Sequence, residues 1–240
     1  MFLDHVVHFI SEPPQMAVDY WKKQGMHAAL GGRHLNWGTH NALFYTKDSY
    51  IEWLAVEKPE VAESANHPLT ELLLHDKTGF GTICLRTDSM AELNNRLNGE
   101  GFETSGVLDA ERKTDSGELI QWKMLFIKEQ VTDQLPYPFF IEWQESDEQR
   151  YESLRKRGAI VPANEELAIE RLIFGVKNPE TAKRKWLQIL GGSLELPNCR
   201  IEFRHTEQKR ERLEEVCFAQ GEKRLSFEGG VYRLTEHLDV

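Results

Sequence analysis

Two glutamates lie inside apolar runs that are typical of buried β-strands. Glu52 lies in SYIEWLAV (Ser49–Val56), and Glu142 lies in PFFIEWQE (Pro138–Glu145). A carboxylate is costly to bury unless something pairs with it. The repeated letters I-E-W therefore predict that both glutamates face one polar cleft, on a metal ion or a substrate. The alternative is that both reach solvent or pair with Arg or Lys on an open sheet face, since one polar position is ordinary strand alternation.

Histidines near these runs could take part in the same chemistry. His5 lies in the first apolar run, FLDHVVHFI, and His8 follows three residues later, so strand alternation sends the two to opposite faces. We expect His8 to be a packing histidine. His40 and Asn41 also alternate, so one of them faces the cleft. An imidazole titrates near neutral pH, so an inward His40 suits a general base or a ligand. The alternative is a structural histidine that stabilises the preceding loop.

A glycine-flanked loop, GGRHLNWG (31–38), carries Arg33, His34 and Trp37. The planar guanidinium of Arg33 can hold a carboxylate or a phosphate through two parallel hydrogen bonds, so the loop could bind an anionic substrate. Asn41, just beyond the loop, belongs to the same expected substrate-binding set. The alternative is a turn in which the glycines supply positive φ angles and the side chains only pack.

These residues lie in two copies of one pattern of elements. The first copy, about 1–57, is predicted to be a strand, a helix and about three strands; the second, about 78–146, repeats that order and ends in the second I-E-W strand. The pattern predicts tandem βαβββ modules in an α+β fold. The charged segment 147–166 is expected to be a linker, and 167–240 to be a third, degenerate βαβββ-like module.

Composition limits the partners and the location. The chain has 240 residues, 40% hydrophobic and 28% charged, as is typical of a soluble globular protein. A net charge of −10 argues against nucleic acid as the partner, because neutralising phosphates needs clustered Lys and Arg. The sequence has no signal peptide and no run long enough to cross a membrane, and its three cysteines are widely spaced, so we expect a cytoplasmic protein. Nucleotide-binding motifs are absent, and no nucleotide cofactor is expected.

The duplicated module and its motifs resemble a known family. The segments LDHVVHF, GGRHLNWGTHNALFY and YIEWLAV are similar to those of glyoxalase-like domains of the vicinal oxygen chelate (VOC) superfamily, the group with the glyoxalase, bleomycin-resistance and dioxygenase fold. The resemblance covers residues 1–145, and 167–236 by module pattern alone. It implies that the paired modules curl into an open, curved mixed β-sheet cleft that holds a divalent metal ion.

The resemblance also implies a set of metal ligands. The ligand positions fall on His5 and Glu52 in the first module and on Thr82 and Glu142 in the second. Thr82 departs from the family pattern, because a threonine hydroxyl is a poor ligand for Zn²⁺ or Fe²⁺. The expected ligands are therefore His5, Glu52 and Glu142, and the expected ion is Mn, Fe, Ni, Zn or Mg.

Two functions follow from the resemblance, and the residues leave open which one applies. The first is a divalent-metal-dependent enzyme of the lyase or isomerase type, acting on a small oxygen-bearing substrate that is anionic if the glycine-flanked loop binds it. Glu142 and His40 are then the catalytic residues, with Arg112 and Trp122 beside the substrate; alternatively, Arg112 flanks a hairpin turn and Trp122 is a core residue. The second function is a metal-free protein of the resistance type that binds or sequesters a small molecule. A homodimer is also expected, because the third module must bury its apolar face against the first two or against another chain.

Overall fold

The computed structural model describes residues 1–113, 119–219 and 223–234, without the side chains of Arg112 and Lys113. Within these residues the chain forms one sheet of eight strands and one of six, with helices packed against them. No helix in the described ranges is long and apolar enough to cross a membrane.

The first module has the predicted order of a strand, a helix and three strands. Its elements are β1 (Phe2–Phe9), α1 (Pro14–Lys22), β2 (Ala29–His34), β3 (Thr39–Tyr45) and β4 (Tyr50–Val56). The helix α1 begins at Pro14, where the missing N–H and fixed φ of proline suit a first helical turn. Two short helices, α2 (Pro59–Ser64) and α3 (Pro68–Asp76), lead to the second module.

The second module repeats the order, and the two modules share one sheet. Its elements are β5 (Gly79–Arg86), α4 (Met90–Gly99), β6 (Leu108–Lys113), β7 (Leu119–Leu125) and β8 (Phe139–Trp143). The strands β1 and β5 run antiparallel at the centre, and each pairs in parallel with the last strand of its own module. The resulting order is β2-β3-β4-β1-β5-β8-β7-β6, which confirms the tandem βαβββ modules and the mixed sheet.

The segment predicted to be a linker is helical and packs on the first sheet. It contains α5 (Asp147–Lys156) and α6 (Pro162–Glu165). Ser146 closes the N-terminus of α5 with a capping box, which satisfies two backbone N–H groups at that end. Arg150 and Tyr151 of α5 are each only 6% exposed, so this helix belongs to the body of the fold.

The remaining strands form the second sheet. The elements are β9 (Ile169–Val176), α7 (Pro179–Leu190), β10 (Glu195–Leu196), β11 (Cys199–His205), β12 (Arg212–Phe218), β13 (Lys223–Phe227) and β14 (Gly230–Leu234). Their order, β10-β11-β9-β12-β14-β13, matches β3-β4-β1-β5-β8-β7 with the same parallel and antiparallel pairings. The sequence predicted a single degenerate module here, whereas the sheet has the arrangement of a reduced pair. The second member was hidden because β13 begins five residues after β12 ends, which leaves no room for a module helix.

The two faces of the first sheet have different neighbours. The inner face carries Val7, Phe9 and Leu54, and leucines of α3 pack on it. The outer face carries Phe44 and Trp53, which pack with α1 and with the second sheet.

His8 lies on the outer face and joins the two sheets. Its Nδ1 is hydrogen-bonded to the Tyr232 hydroxyl of β14 at 2.5 Å, and its Nε2 lies 3.1 Å from the Glu228 carbonyl oxygen. The Trp53 indole donates to the same hydroxyl at 3.1 Å. His8 is therefore a packing residue, as expected. The second sheet buries apolar side chains against the first within one chain, so this face does not require a second copy, and the homodimer stays a prediction.

Candidate functional site

The candidate site lies on the inner face, where β1 and β4 run side by side. The β1–β5 pairing has a bulge between Leu3 and His5, and bulges re-aim side chains locally. Asp4 Oδ1 lies 2.8 Å from Nδ1 of the neighbouring His5, and both residues are buried. Since an ionised carboxylate only accepts hydrogen bonds, Nδ1 is the donor, and in the neutral form of the ring the lone pair is then on Nε2.

Glu52 of β4 approaches the other nitrogen of the same ring. Its Oε2 lies 3.6 Å from His5 Nε2, which is too long for a hydrogen bond. The Asn41 amide donates to Glu52 Oε1 at 2.6 Å, and the Asn41 side-chain oxygen accepts the Gly32 N–H at 2.8 Å. Gly31 makes room for this amide, because a Cβ there would lie 1.9 Å from its oxygen. Asp4 thus orients His5, and Asn41 orients Glu52.

Asp4 is held by three further donors. Its Oδ2 accepts hydrogen bonds from Trp143 Nε1 at 3.0 Å, Arg86 Nη1 at 3.2 Å and Arg150 Nη2 at 3.3 Å. Burial would raise the pKa of Asp4, but the charge of Arg150, the hydrogen bond with His5 and the charge of Arg86 hold it well below its usual range. Asp4 is therefore a fixed anion that holds the His5 ring.

Aromatic rings and a thiol surround the imidazole. Tyr50 stacks on His5 with ring centroids 4.5 Å apart, and Phe139 meets it edge-on at 5.5 Å. Asp4, His5 and Cys84 have ligand atoms within 4.8 Å of one another and form a possible metal site. Two of its members are poor donors, because burial foremost raises the pKa of the Cys84 thiol well above its usual value and Asp4 already pairs with two guanidinium groups. The better pair of donors is His5 Nε2 and Glu52 Oε2.

Comparison with known proteins identifies the family of this fold. The model of the glyoxalase-like domain family matches residues 3–190. The chain belongs to the glyoxalase-like domain family. The resemblance that the sequence motifs carry is thereby confirmed. No curated protein matches this glyoxalase-like chain.

Solved structures similar to this glyoxalase-like protein include a hypothetical protein from Staphylococcus aureus. It is 27% identical, with a TM-score of 0.80, over 96% of this chain and 97% of that chain. A methylmalonyl-CoA epimerase from Streptomyces coelicolor is 12% identical with a TM-score of 0.40, over 60% of this chain and 99% of its own. The epimerase from Mycobacterium tuberculosis is 14% identical with a TM-score of 0.42, over 62% and 91%.

Glu142, predicted as both a ligand and a catalytic residue, does not join His5 and Glu52. It lies on the outer face, where its Oε2 accepts the Met90 N–H at the start of α4 and its Oε1 pairs with Lys123 at 2.9 Å. Burial would raise the pKa of Glu142, but Lys123 and the Met90 amide hold it below its ordinary value. Its role in this domain is to bind a helix N-terminus.

A shift in register explains why the two I-E-W strands are not equivalent. Glu52 pairs with Val7 in β1, and the corresponding residue of β5, Cys84, pairs with Phe139. Phe139 thus occupies the place of Glu52, three residues before Glu142. Because side chains alternate along a strand, an odd shift reverses the face of every residue.

The other predicted site residues divide between the two faces. His40 and Arg33 pair across β2 and β3 on the outer face, and Arg33 Nε lies 2.7 Å from Glu57 Oε1. Burial lowers the pKa of His40, and Arg33 adds to this effect while Glu57 opposes it. The alternation of His40 and Asn41 is resolved with Asn41 inward. His40 therefore does not reach His5, and the Arg33 side chain is not on the inner face.

The other residues predicted to contact the substrate lie on the inner face. His34 lies 5.0 Å from the Trp37 ring, and Trp37 stacks on His67 at 4.0 Å. Trp122 packs against Trp143 at 5.6 Å, at the other end of the same face. The structure brings these residues to one face without placing any of them on His5. The predicted contact of the Arg112 side chain lies outside the described residues.

Thr82 is also on this face, where its hydroxyl donates to the Tyr137 carbonyl oxygen at 2.9 Å.

Sequence reasoning missed the residues that hold the imidazole. Asp4 directly precedes His5, and alternation alone would send the two side chains apart. Arg150 lies in the segment that the sequence predicts to be a linker, yet it is 6% exposed and stacks on Trp143 at 4.5 Å. The dipeptide Asp-His in an apolar strand was the one available signal, since a buried carboxylate needs a partner.

Proposed function

We propose that this glyoxalase-like protein is a divalent-metal-dependent enzyme of the lyase or isomerase type. The observation that carries the proposal is the 3.6 Å separation of His5 Nε2 and Glu52 Oε2. Two ligand atoms that share one tetrahedral ion at bond lengths near 2.1 Å lie about 3.4 Å apart. A lone pair and a carboxylate oxygen that face each other without a hydrogen bond also favour a shared cation.

The groups behind these two atoms support the same interpretation. Histidines that bind metals commonly donate their other ring N–H to a carboxylate, as His5 does to Asp4, and ligating carboxylates are themselves hydrogen-bonded, as Glu52 is by Asn41. Two protein ligands leave positions free for water and substrate, which suits a catalytic rather than a structural ion. The residues present therefore fit a divalent ion, with His5 and Glu52 as its ligands.

The chemistry follows from how the residues are held. A bound divalent ion supplies a Lewis acid that polarises a carbonyl or enolate oxygen. Asp4 keeps the proton of His5 on Nδ1, and Asn41 fixes one oxygen of Glu52. Glu52 is our choice for the group that takes a proton from the substrate, because Glu142 lies on the outer face. Arg33 pairs with Glu57 on the outer face. The expected substrate therefore carries an oxygen that the ion can polarise, and it need not be anionic.

Metal analysis tests the proposal directly. The protein, purified without chelator or metal-affinity tag, is incubated with Mn²⁺, Fe²⁺, Ni²⁺ or Zn²⁺ and analysed for elemental content beside His5→Ala, Glu52→Gln and Glu142→Gln. We expect near-stoichiometric metal in the wild type, loss in the first two variants, and retention in Glu142→Gln, whose residue is on the other face. Metal that survives in His5→Ala and Glu52→Gln would refute this site.

A metal-free binding protein is the second candidate, and one observation favours it. The second module has Thr82 and Phe139 where ligands are expected, and apolar side chains of α3 pack on the inner face. Trp37, Trp122 and Trp143 on this face could stack on a planar ligand. A wild-type protein that takes up no metal, but whose tryptophan fluorescence changes with a planar organic compound, would favour this candidate over the enzyme.

A further inference from the structure

Four arginines lie in one cross-strand row of the second sheet. Arg200 of β11 is opposite Arg171 of β9, and Arg171 is opposite Cys217 of β12. Cys217 is opposite Arg233 of β14, which is opposite Arg224 of β13. These five residues are called the arginine row. They span five adjacent strands of the six.

The arginine row lies on the face of the second sheet that is turned away from the core. The next row along the strands, on the opposite face, is buried in the core: Ile201, Leu172, Val216, Tyr232 and Leu225. The side chains of Arg171, Arg200 and Arg233 are 44%, 56% and 37% exposed. The guanidinium groups therefore reach solvent from a rigid sheet.

Carboxylates balance the arginine row only in part. Glu215 pairs closely with Arg233, and Glu195 pairs with Arg200 at 2.7 Å. Glu202 stands 3.7 Å from Arg171 and 4.0 Å from Arg200, beyond hydrogen-bond distance. Within the described ranges, Arg224 makes no ion pair.

Like charges placed directly opposite each other destabilise a sheet. The arginine row does this twice, at Arg200–Arg171 and at Arg233–Arg224. A bound anion would remove this repulsion.

The arginine row is the counterpart of the row that holds His5. In the first sheet, Tyr50, His5, Cys84 and Phe139 are opposite one another on four corresponding strands. Cys84 in the first sheet and Cys217 in the second occupy corresponding positions, opposite His5 and Arg171. In each sheet the pairing of these two central strands has a register shift on either side of the row. Arg171 thus stands where His5 stands in the first sheet, with a guanidinium in place of the imidazole.

We propose that the arginine row binds a small phosphate-bearing anion. Neighbouring strands are about 4.8 Å apart, so each opposed pair offers two guanidinium groups to one ligand. One guanidinium fork already occupies both oxygens of a carboxylate, whereas a phosphate has further oxygens for the second fork. The net charge of −10 argues for a small ligand, because it repels a long polyanion.

Calorimetric titration of the full chain with inorganic pyrophosphate, at low salt and with chelator present, tests the proposal. One site is expected at each opposed pair, so Arg171→Gln should weaken binding at least tenfold at one site and Arg233→Gln should do so at the other. Arg157→Gln is the matched control, because it removes one exposed positive charge at the end of α5, and it should change binding less than twofold. His5→Ala and Glu52→Gln should bind pyrophosphate like the wild type, which separates this site from the proposed metal centre.

Several results would overturn the proposal. These are no binding of pyrophosphate, equal weakening by Arg157→Gln, citrate binding as tightly as pyrophosphate, or a single-stranded oligonucleotide binding more tightly than either. Thermal unfolding checks that each variant is folded. If Arg171→Gln or Arg233→Gln is not, Arg224→Gln, at the edge strand and without an ion pair in the described ranges, decides the question in its place.

Discussion

Acidification from pH 6.5 to pH 5 should destabilise this protein through His8. His8 is completely buried between the two sheets, and burial lowers its pKa from 6.5 to about 4. Between pH 6.5 and pH 5 the unfolded chain takes up a proton at this position and the folded chain does not. The folded state then loses about 1.4 kcal/mol for each pH unit, or about 2 kcal/mol by pH 5. Because burial lowers the pKa of His8, its contribution to the free energy of unfolding is complete above pH 6.5 and is lost as the pH falls.

His67 adds a second contribution of the same sign. Burial lowers its pKa to about 4, with a smaller effect from His34. The two histidines together should lower the free energy of unfolding by about 4 kcal/mol between pH 7 and pH 5. Glu129 opposes them, because burial raises the pKa of its carboxyl to about 7 and the folded chain therefore takes up that proton before the unfolded chain does.

Urea unfolding at pH 7, 6 and 5 measures this dependence. His8→Gln should be less stable than the wild type at pH 7, because it loses the hydrogen bond with Tyr232, but its decline to pH 5 should be about 2 kcal/mol smaller. His205→Gln is the control, because His205 is exposed and its hydrogen bond with Glu207 raises its pKa, so this substitution should not reduce the decline. If His8→Gln declined as steeply as the wild type, the assignment of a neutral, buried imidazole would be wrong.

Two further substitutions test other contacts. Gly31→Ala should displace the Asn41 amide, so that Glu52 is no longer held in place. Metal affinity measured by equilibrium dialysis should fall about tenfold, with little loss of stability. Unchanged affinity would count against the orienting role of Asn41. Asp76→Asn should cost about 3 kcal/mol in urea unfolding, because Asp76 is a buried partner of Arg212 at 2.6 Å, whereas the loss of the exposed pair in Glu103→Gln should change stability little. Equal effects of these two carboxylate substitutions would contradict the burial argument.

The module order and the inward position of His5 and Glu52 could be predicted from sequence, because both rest on local periodicity. The duplicated strand–helix–strand pattern appears in composition and turn residues, and family resemblance points to the first strand and the last strand of the first module. The same reasoning failed at Glu142, because the two I-E-W strands turn their glutamates to opposite faces of the sheet. Register is set by pairing with β5 and not by the I-E-W letters, so a shift of three residues leaves no trace in the strand itself.

Long-range partners were the other part that could not be predicted. Arg150 reaches Asp4 from 146 positions along the chain, and no local pattern distinguishes such an arginine from one on a solvated helix. The second sheet shows the same limit, because the chain between β12 and β13 is too short for the helix by which the other modules are recognised.

The hydrogen bond between His8 and Tyr232 joins residues 224 positions apart. A ribosome that adds about 5–20 residues per second needs roughly 10–45 s to make the chain between them. During that interval the outer face of β1 and β4, with His8 and Trp53, has no second sheet to cover it. The nascent N-terminal modules therefore pass through a long period in which apolar surface is open to aggregation, and this face is where a chaperone would be expected to bind during synthesis.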